Sequence, residues 1–245
     1  MLRVLLLAGS GEARAIAQSL ALEPGVVAKA SLAGATRVPR TLALPTRLGG
    51  FGGDEEFRAY LLRNAVDAVV DATHPFAHRV SARSARICAE ENVAYAQVLR
   101  PEWVAGPGDD WRFIDQASEA ADFIEPGSTV FLGTGVQGLE GFSNLQSCKV
   151  ICRRIDPPMG PFPFPGGEFL VGRPPFSVAD EISLFSQLEI DWLVVKNSGG
   201  AASRTKLDAA RELDIRVALI RRPPQPDALQ LATAEEAVEW VRELA

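Results

Sequence analysis

Short, continuous apolar runs alternate with amphipathic stretches along this chain, and that alternation restricts its fold more than any other feature. Leu2–Ala8 is apolar but for one arginine and has the length of a strand buried on both faces of a parallel sheet. Glu12–Leu22 sets Ala13, Ile16, Ala17 and Leu20 on one stripe, the spacing of an amphipathic helix. Val26–Ser31 predicts a second strand. Gly34–Gly53 is rich in Gly, Pro and Arg and predicts mostly loop, with one short strand near Arg47. Glu55–Asn64 then predicts a helix, Asp67–Ala72 a strand, Ala77–Glu91 a helix and Ala94–Leu99 a strand. Strand–helix–strand order of this kind gives a parallel sheet with helices on its faces.

The pattern pauses and restarts. Arg100–Asp110 is rich in Pro and Gly, and the expected boundary falls there, giving domains over residues 1–100 and 101–245. Beyond it, helices are predicted over Ala117–Glu125, Leu139–Asn144, Val178–Gln187, Arg204–Leu213 and Glu235–Leu244. Strands are predicted over Thr129–Leu132, Lys149–Ile155, Trp192–Lys196 and Arg216–Ile220. Asp156–Gly167 holds too many prolines for a helix or a central strand, because proline lacks the N–H. The expected fold class is therefore α/β, with mainly parallel sheets.

With 245 residues, 47% of them apolar and 23% charged, the chain can bury a substantial core. Its net charge of −6 disfavours nucleic acid as a partner, since a binder of duplex DNA carries a basic excess. The apolar start ends at Gly9 without a cleavage pattern, and no run approaches the ~18 apolar residues of a membrane span. Three cysteines are present, Cys88, Cys148 and Cys152. On a strand Cys148 and Cys152 lie roughly 13 Å apart, too far for a disulfide. The expectation is a reducing, cytoplasmic location.

The residues able to carry chemistry cluster at the carboxyl ends of the predicted strands. Gly9-Ser10-Gly11-Glu12-Ala13-Arg14 follows the first strand and opens a helix, a turn in which freed N–H groups and the helix dipole favour a phosphate. The third glycine of a dinucleotide fingerprint is replaced by Arg14, so the segment also fits a plain connection. After the second strand there is no acid but Ser31, Thr36 and Arg37, which suits a 2′-phosphate and so NADPH rather than NADH. Asp71-Ala72-Thr73-His74-Pro75-Phe76-Ala77-His78 contains the chain's two histidines. His74 is the candidate proton donor, with capping of the next helix as the alternative.

Arg79, Arg83 and Arg86 share one helical face and can grip carboxylates or remain solvated; Arg86 has Glu90 as a partner. Gly49–Gly53 sets Phe51 among four glycines, to face a flat ring or to plug a junction. Gly133-Thr134-Gly135 and Lys196-Asn197-Ser198-Gly199-Gly200 follow two later strands, and the latter, with Arg204 and Lys206, suits an anion. No metal-ligating spacing and no nucleophile elbow is present.

In their order, these segments resemble the precorrin-6A reductase family along nearly the whole chain. The resemblance is carried by Gly9–Arg14 (GSGEAR), Gly49–Gly53, Val69–Ala77 (VVDATHPFA) and Arg100–Trp103, then Ile155–Pro158, Val194–Gly200 (VVKNSGG) and Lys206–Arg211. The family's first turn more typically reads GGTGEA; Ser10 keeps the threonine hydroxyl. The resemblance implies NADPH-dependent reduction of precorrin-6A to precorrin-6B, and two Rossmann-like domains with a ligand cleft between them. The aerobic and cobalt-containing versions share these motifs; the aerobic one is preferred.

Cofactor binding is then expected of Gly9, Ser10, Gly11, Glu12, Ala13, Arg14, Ser31, Arg37, Thr73, Thr134, Gly135, Lys196, Asn197, Ser198, Gly199 and Gly200. Substrate binding is expected of Gly52, Arg79, Arg83, Arg204 and Lys206. His74, a lysine and water remain open as the proton source, and the oligomeric state is open. Two other classes stay in view, a nucleotide-sensing or chaperone-like binding module and an S-adenosylmethionine methyltransferase. The missing acid after the second strand speaks against the methyltransferase.

Overall fold

A computed structural model of the chain describes residues 1–34 and 41–245. In chain order its elements begin with β1 (Leu2–Ala8), α1 (Gly11–Leu20), β2 (Val26–Leu32), β3 (Thr46–Leu48), α2 (Asp54–Arg63), β4 (Ala68–Ala72), α3 (His78–Glu90) and β5 (Ala94–Val98). They continue with β6 (Trp111–Ile114), β7 (Thr129–Leu132), β8 (Lys149–Arg154), β9 (Gly167–Val171), α4 (Val178–Leu188), β10 (Trp192–Lys196), α5 (Thr205–Glu212), β11 (Arg216–Ile220), β12 (Leu229–Leu231) and α6 (Ala234–Leu244). The chain forms two compact units, one of Met1–Pro101 with Pro223–Ala245 and one of Glu102–Arg222. Each holds one six-stranded sheet in which every described pairing is parallel.

In the first unit the strands lie in the order β3-β2-β1-β4-β5-β12, the order of a doubly wound Rossmann sheet. Burial on both faces is written into β1. Val4, Leu6 and Ala8 face the core shared with Ala13, Ile16, Ala17 and Leu20 of α1 and Ala237, Val238 and Val241 of α6. Leu5 and Leu7 face the opposite core, with Phe57 and Leu61 of α2 and Ile87 and Cys88 of α3. In the second unit the order is β9-β8-β7-β10-β11-β6. Phe131, Ile151, Leu193, Val195, Val217 and Leu219 supply one core face, covered by Phe185 of α4 and Leu207, Ala209 and Ala210 of α5.

The expected division at residue 100 holds only for the first crossing of the chain. β6, the next strand after β5, joins the second unit beside β11, whereas β12, the next after β11, returns to the first unit beside β5. Each sheet thus takes its sixth strand from the part of the chain adjoining the other. Both are short edge strands, paired on one side only, so neither needs the continuous apolar run that marks a central strand. The same reason hides β9.

Two predicted helices are instead 3-10 turns, Ala117–Asp122 and Leu139–Leu145. In the second, the buried residues are Leu139, Phe142 and Leu145, a spacing of three that matches the 3-10 repeat and not the α repeat. Among the described residues no helix is long and apolar enough to cross a membrane, and no group of His, Cys, Asp or Glu is gathered to hold a metal. Cys88, Cys148 and Cys152 are free and buried.

Candidate functional site

In a doubly wound sheet the chain leaves neighbouring central strands in opposite directions at one point, and ligands bind outside the carboxyl ends there. In the first unit that point lies between β1 and β4, so the turns Gly9-Ser10 and Thr73-His74 stand side by side. Their approach depends on Gly9. A Cβ there would lie 3.3 Å from both the His74 amide nitrogen and the Thr73 Cα. Ser10 caps α1, its Oγ accepting from the Ala13 amide at 3.3 Å. At Gly11 a Cβ would meet nothing within 4 Å, so an open space lies over the first turn of α1 that a side chain would enter.

The second turn is fixed from beneath by Asp71, which has no exposed surface. Its carboxylate accepts from the Thr73 amide at 3.0 Å and from the Tyr95 hydroxyl at 2.8 Å. Burial, with the Asp71 charge, pushes the Tyr95 phenol well above its ordinary range, so it stays a donor. The Oγ atoms of Thr73 and Ser81 are 3.4 Å apart. His74 accepts from the Phe76 amide through Nδ1 at 3.3 Å, which leaves Nε2 carrying the proton of the neutral ring. Gln225, on the segment returning to β12, donates to the Pro75 carbonyl at 3.1 Å and accepts from Gln97 at 2.8 Å. His78 opens α3. The sequence reading missed Asp71, Tyr95 and Gln225 as supports of this turn, because only the fold brings them to it.

The other residues expected here fall into clear groups. Glu12 pairs with Arg100 at 2.6 Å. Burial opposes its ionisation, but its own amide, Arg100 and Ser10 together hold the carboxyl below the ordinary range. Arg14 keeps a buried Nε without a partner among the described residues. Ser31, near the carboxyl end of β2, is buried and accepts from Arg47 Nη1 at 2.9 Å. Arg37 lies outside the described residues.

Phe51 packs against Phe57 and Tyr60 with ring centroids 4.9 and 5.0 Å away, so it plugs the base of its own loop. Gly49 and Gly52 need glycine, with φ of +100° and +88°. Arg83 lies over the Phe57 ring at 4.8 Å, its Nε buried and without a partner among the described residues, and burial lowers its pKa. Arg79 is exposed, while Arg86 pairs with Glu90 at 2.8 Å and with Asp54.

In the second unit the corresponding point lies between β7 and β10, where Gly133-Thr134-Gly135 and Lys196–Gly200 emerge. Here too one glycine permits the approach, since a Cβ on Gly133 would sit 2.9 Å from the Val195 side chain. Thr134 is buried and donates to the Gly135 carbonyl at 3.2 Å. Gly133-Thr134-Gly135-Val136-Gln137-Gly138 completes a G-x-G-x-x-G spacing that the sequence reading passed over, but a 3-10 turn follows it, not an α-helix.

Asn197 is a clasp. It accepts from the Trp103 amide at 2.9 Å and donates to the Trp103 carbonyl at 3.1 Å and to Glu102 at 3.2 Å. Trp103 Nε1 donates in turn to the Gly200 carbonyl at 2.8 Å. Lys196, Ser198 and Gly199 line the same turn, and burial lowers the Lys196 ammonium pKa. Arg204 braces Asp109 at 3.4 Å and Asp208 at 3.1 Å, while Lys206 donates to the Ser203 carbonyl at 2.5 Å.

The family model of precorrin-6x reductase CbiJ/CobK matches residues 3–242. The chain belongs to the precorrin-6x reductase CbiJ/CobK family. Within that family it resembles a precorrin-6A reductase of Rhodococcus erythropolis, 43% identical over 243 residues and covering 98% of each chain. It also resembles one of Rhodobacter capsulatus, 40% identical over 242 residues and covering 98% of this chain and 96% of the other. A solved CobK precorrin-6A reductase superposes with a TM-score of 0.94 at 38% identity, covering 99% of this chain and 97% of that one. The two-sheet Rossmann-like fold and the exchanged edge strands therefore describe a precorrin-6x reductase framework.

Proposed function

We propose that this chain reduces precorrin-6A to precorrin-6B with NADPH as hydride source, in cobalamin biosynthesis. The observation that carries the proposal is a full-length family match joined to a Rossmann switch point built from the matching GSGEAR and ATHP segments. The residues at that point fit a nicotinamide dinucleotide. Gly11 has open space beside it at the first turn of α1, where a pyrophosphate needs close approach to the backbone, and Arg14 offers a guanidinium whose Nε has no partner among the described residues. Ser31 stands where NAD enzymes place an acid, and its hydroxyl does not repel a 2′-phosphate.

The bound nucleotide supplies the hydride. This chain's own residues bind, orient and protonate. Gly9–Arg14 hold phosphate, while Thr73 and His74 are fixed beside them by Asp71 and Gln225. As the imidazolium, reached by taking up a second proton at Nδ1 in exchange for the Phe76 amide bond, His74 gives the Nε2 proton to the carbon next to the one reduced and returns to the neutral ring. The substrate's carboxylates call for cations that are not already paired, which favours Arg79 and Arg83 over Arg204. The relatives named precorrin-6A reductase favour the metal-free substrate over its cobalt form.

Anaerobic mixing with NADPH and precorrin-6A, followed by absorbance, tests the proposal. Stoichiometric loss of NADPH with a spectral change of the macrocycle is expected, faster than with NADH. Binding without oxidation would leave a nucleotide-binding module. His74→Ala is expected to slow turnover with the fold intact, and unchanged turnover would pass the proton to water or a lysine.

A further inference from the structure

On the nicotinamide-dinucleotide reading above, we propose that Arg47, acting with Ser31, reads the 2′-phosphate that separates NADPH from NADH. In a doubly wound nucleotide sheet the carboxyl end of the second strand meets the adenosine ribose. An acid there takes the ribose hydroxyls, and a nearby arginine accommodates a 2′-phosphate instead. Ser31 is the last residue but one of β2, and Arg47 is its register partner on β3. The guanidinium and the hydroxyl are hydrogen-bonded at 2.9 Å. The cation is therefore anchored at the position that discriminates the two cofactors.

The donor count leaves two N–H groups for a phosphate. A guanidinium has five N–H donors. Nη1 serves Ser31 and, at 2.8 Å, the Gly49 carbonyl, while Nη2 serves the Gly50 carbonyl at 3.0 Å. Among the described residues Nε–H and one Nη2–H stay unused. Nε and Nη2 share one edge of the guanidinium, the edge that meets two phosphate oxygens as a fork. No carboxylate among the described residues pairs with Arg47. The Phe51 ring lies 4.0 Å from its central carbon, which fixes the plane of the fork. A guanidinium that only braced the glycine loop would show the same three bonds, so the test must read the 2′-phosphate itself.

Calorimetric titration of the full chain with 2′,5′-ADP and with ADP isolates that group without any turnover. The native chain is expected to prefer 2′,5′-ADP by at least about tenfold, the effect of one or two charge-assisted hydrogen bonds. Arg47→Met should remove most of that preference. Ser31→Asp, which sets a carboxylate beside the same fork, should reverse it. A preference unchanged in both variants overturns the proposal, as does a variant that weakens both ligands in equal proportion. Equal binding of the two ligands by the native chain also overturns it while leaving the cofactor reading standing. Binding of neither ligand, nor of NADPH, removes the cofactor reading and this proposal together.

Discussion

Gly9 and Gly11 are separated by one residue in the sequence, yet the structure gives them opposite sensitivities. A methyl group on Gly9 would meet the His74 amide nitrogen and the Thr73 Cα at 3.3 Å, inside ordinary contact distance. The struck atoms are backbone, and the Thr73 amide is bonded to a fully buried Asp71 that Tyr95 also holds. The β4 side therefore yields little, and the Gly9-Ser10 side must move by a few tenths of an ångström. That motion strains the Ser10 cap on Ala13. Overpacking at a tight site costs about 1–3 kcal/mol, and a weakened cap adds up to about 1 kcal/mol.

At Gly11 a methyl meets nothing within 4 Å, and the residue begins a helix. Gly11→Ala should therefore leave stability unchanged or raise it by less than about 1 kcal/mol. It should still weaken nicotinamide-dinucleotide binding, because the methyl enters the open space at the first turn of α1 where the proposed pyrophosphate approaches. Urea unfolding of both variants, with calorimetric titration of NADP⁺, separates the two effects. Gly9→Ala unfolding like the native chain, or Gly11→Ala losing as much stability as Gly9→Ala, would refute the packing argument.

Two further outcomes follow from buried and paired charge. The Glu125 carboxyl is pushed down to about 2 by Arg216 first, then by its own amide and Trp192. Its ordinary value lies higher, so this contact stabilises the fold fully above pH ~4.5 and is lost as the pH falls toward 2. Glu125→Gln should flatten the acid limb of a stability–pH profile over that window, and an unaltered limb would rule the contact out. Arg153 and Glu181 form a bidentate pair at 2.8 and 2.7 Å with side chains only 9% and 1% exposed. Glu181→Gln strands a guanidinium and should cost about 3–5 kcal/mol in chemical unfolding, whereas Arg153→Met with Glu181→Leu should cost much less. Equal losses would show that the charge is not what matters there.

The sequence alone determined the α/β class, the central strands, the glycine-bearing turns at their carboxyl ends and the family. These rest on local signals: continuous apolar runs, a 3.6-residue stripe on α1, and glycines immediately after strands. Only the tertiary structure decided which sixth strand joins which sheet, because β6 and β12 are short edge strands without the apolar run of a central one. It also decided which polar residues are already paired. Arg79, Arg83 and Arg204 read alike as surface cations, but Arg204 is held by Asp109 and Asp208 while Arg83 is half-buried over Phe57. Asp71, Tyr95, Gln97 and Gln225 support one turn from positions up to 150 residues away from Pro75. Hydrogen bonds of that reach depend on strand order and register, which no local periodicity encodes.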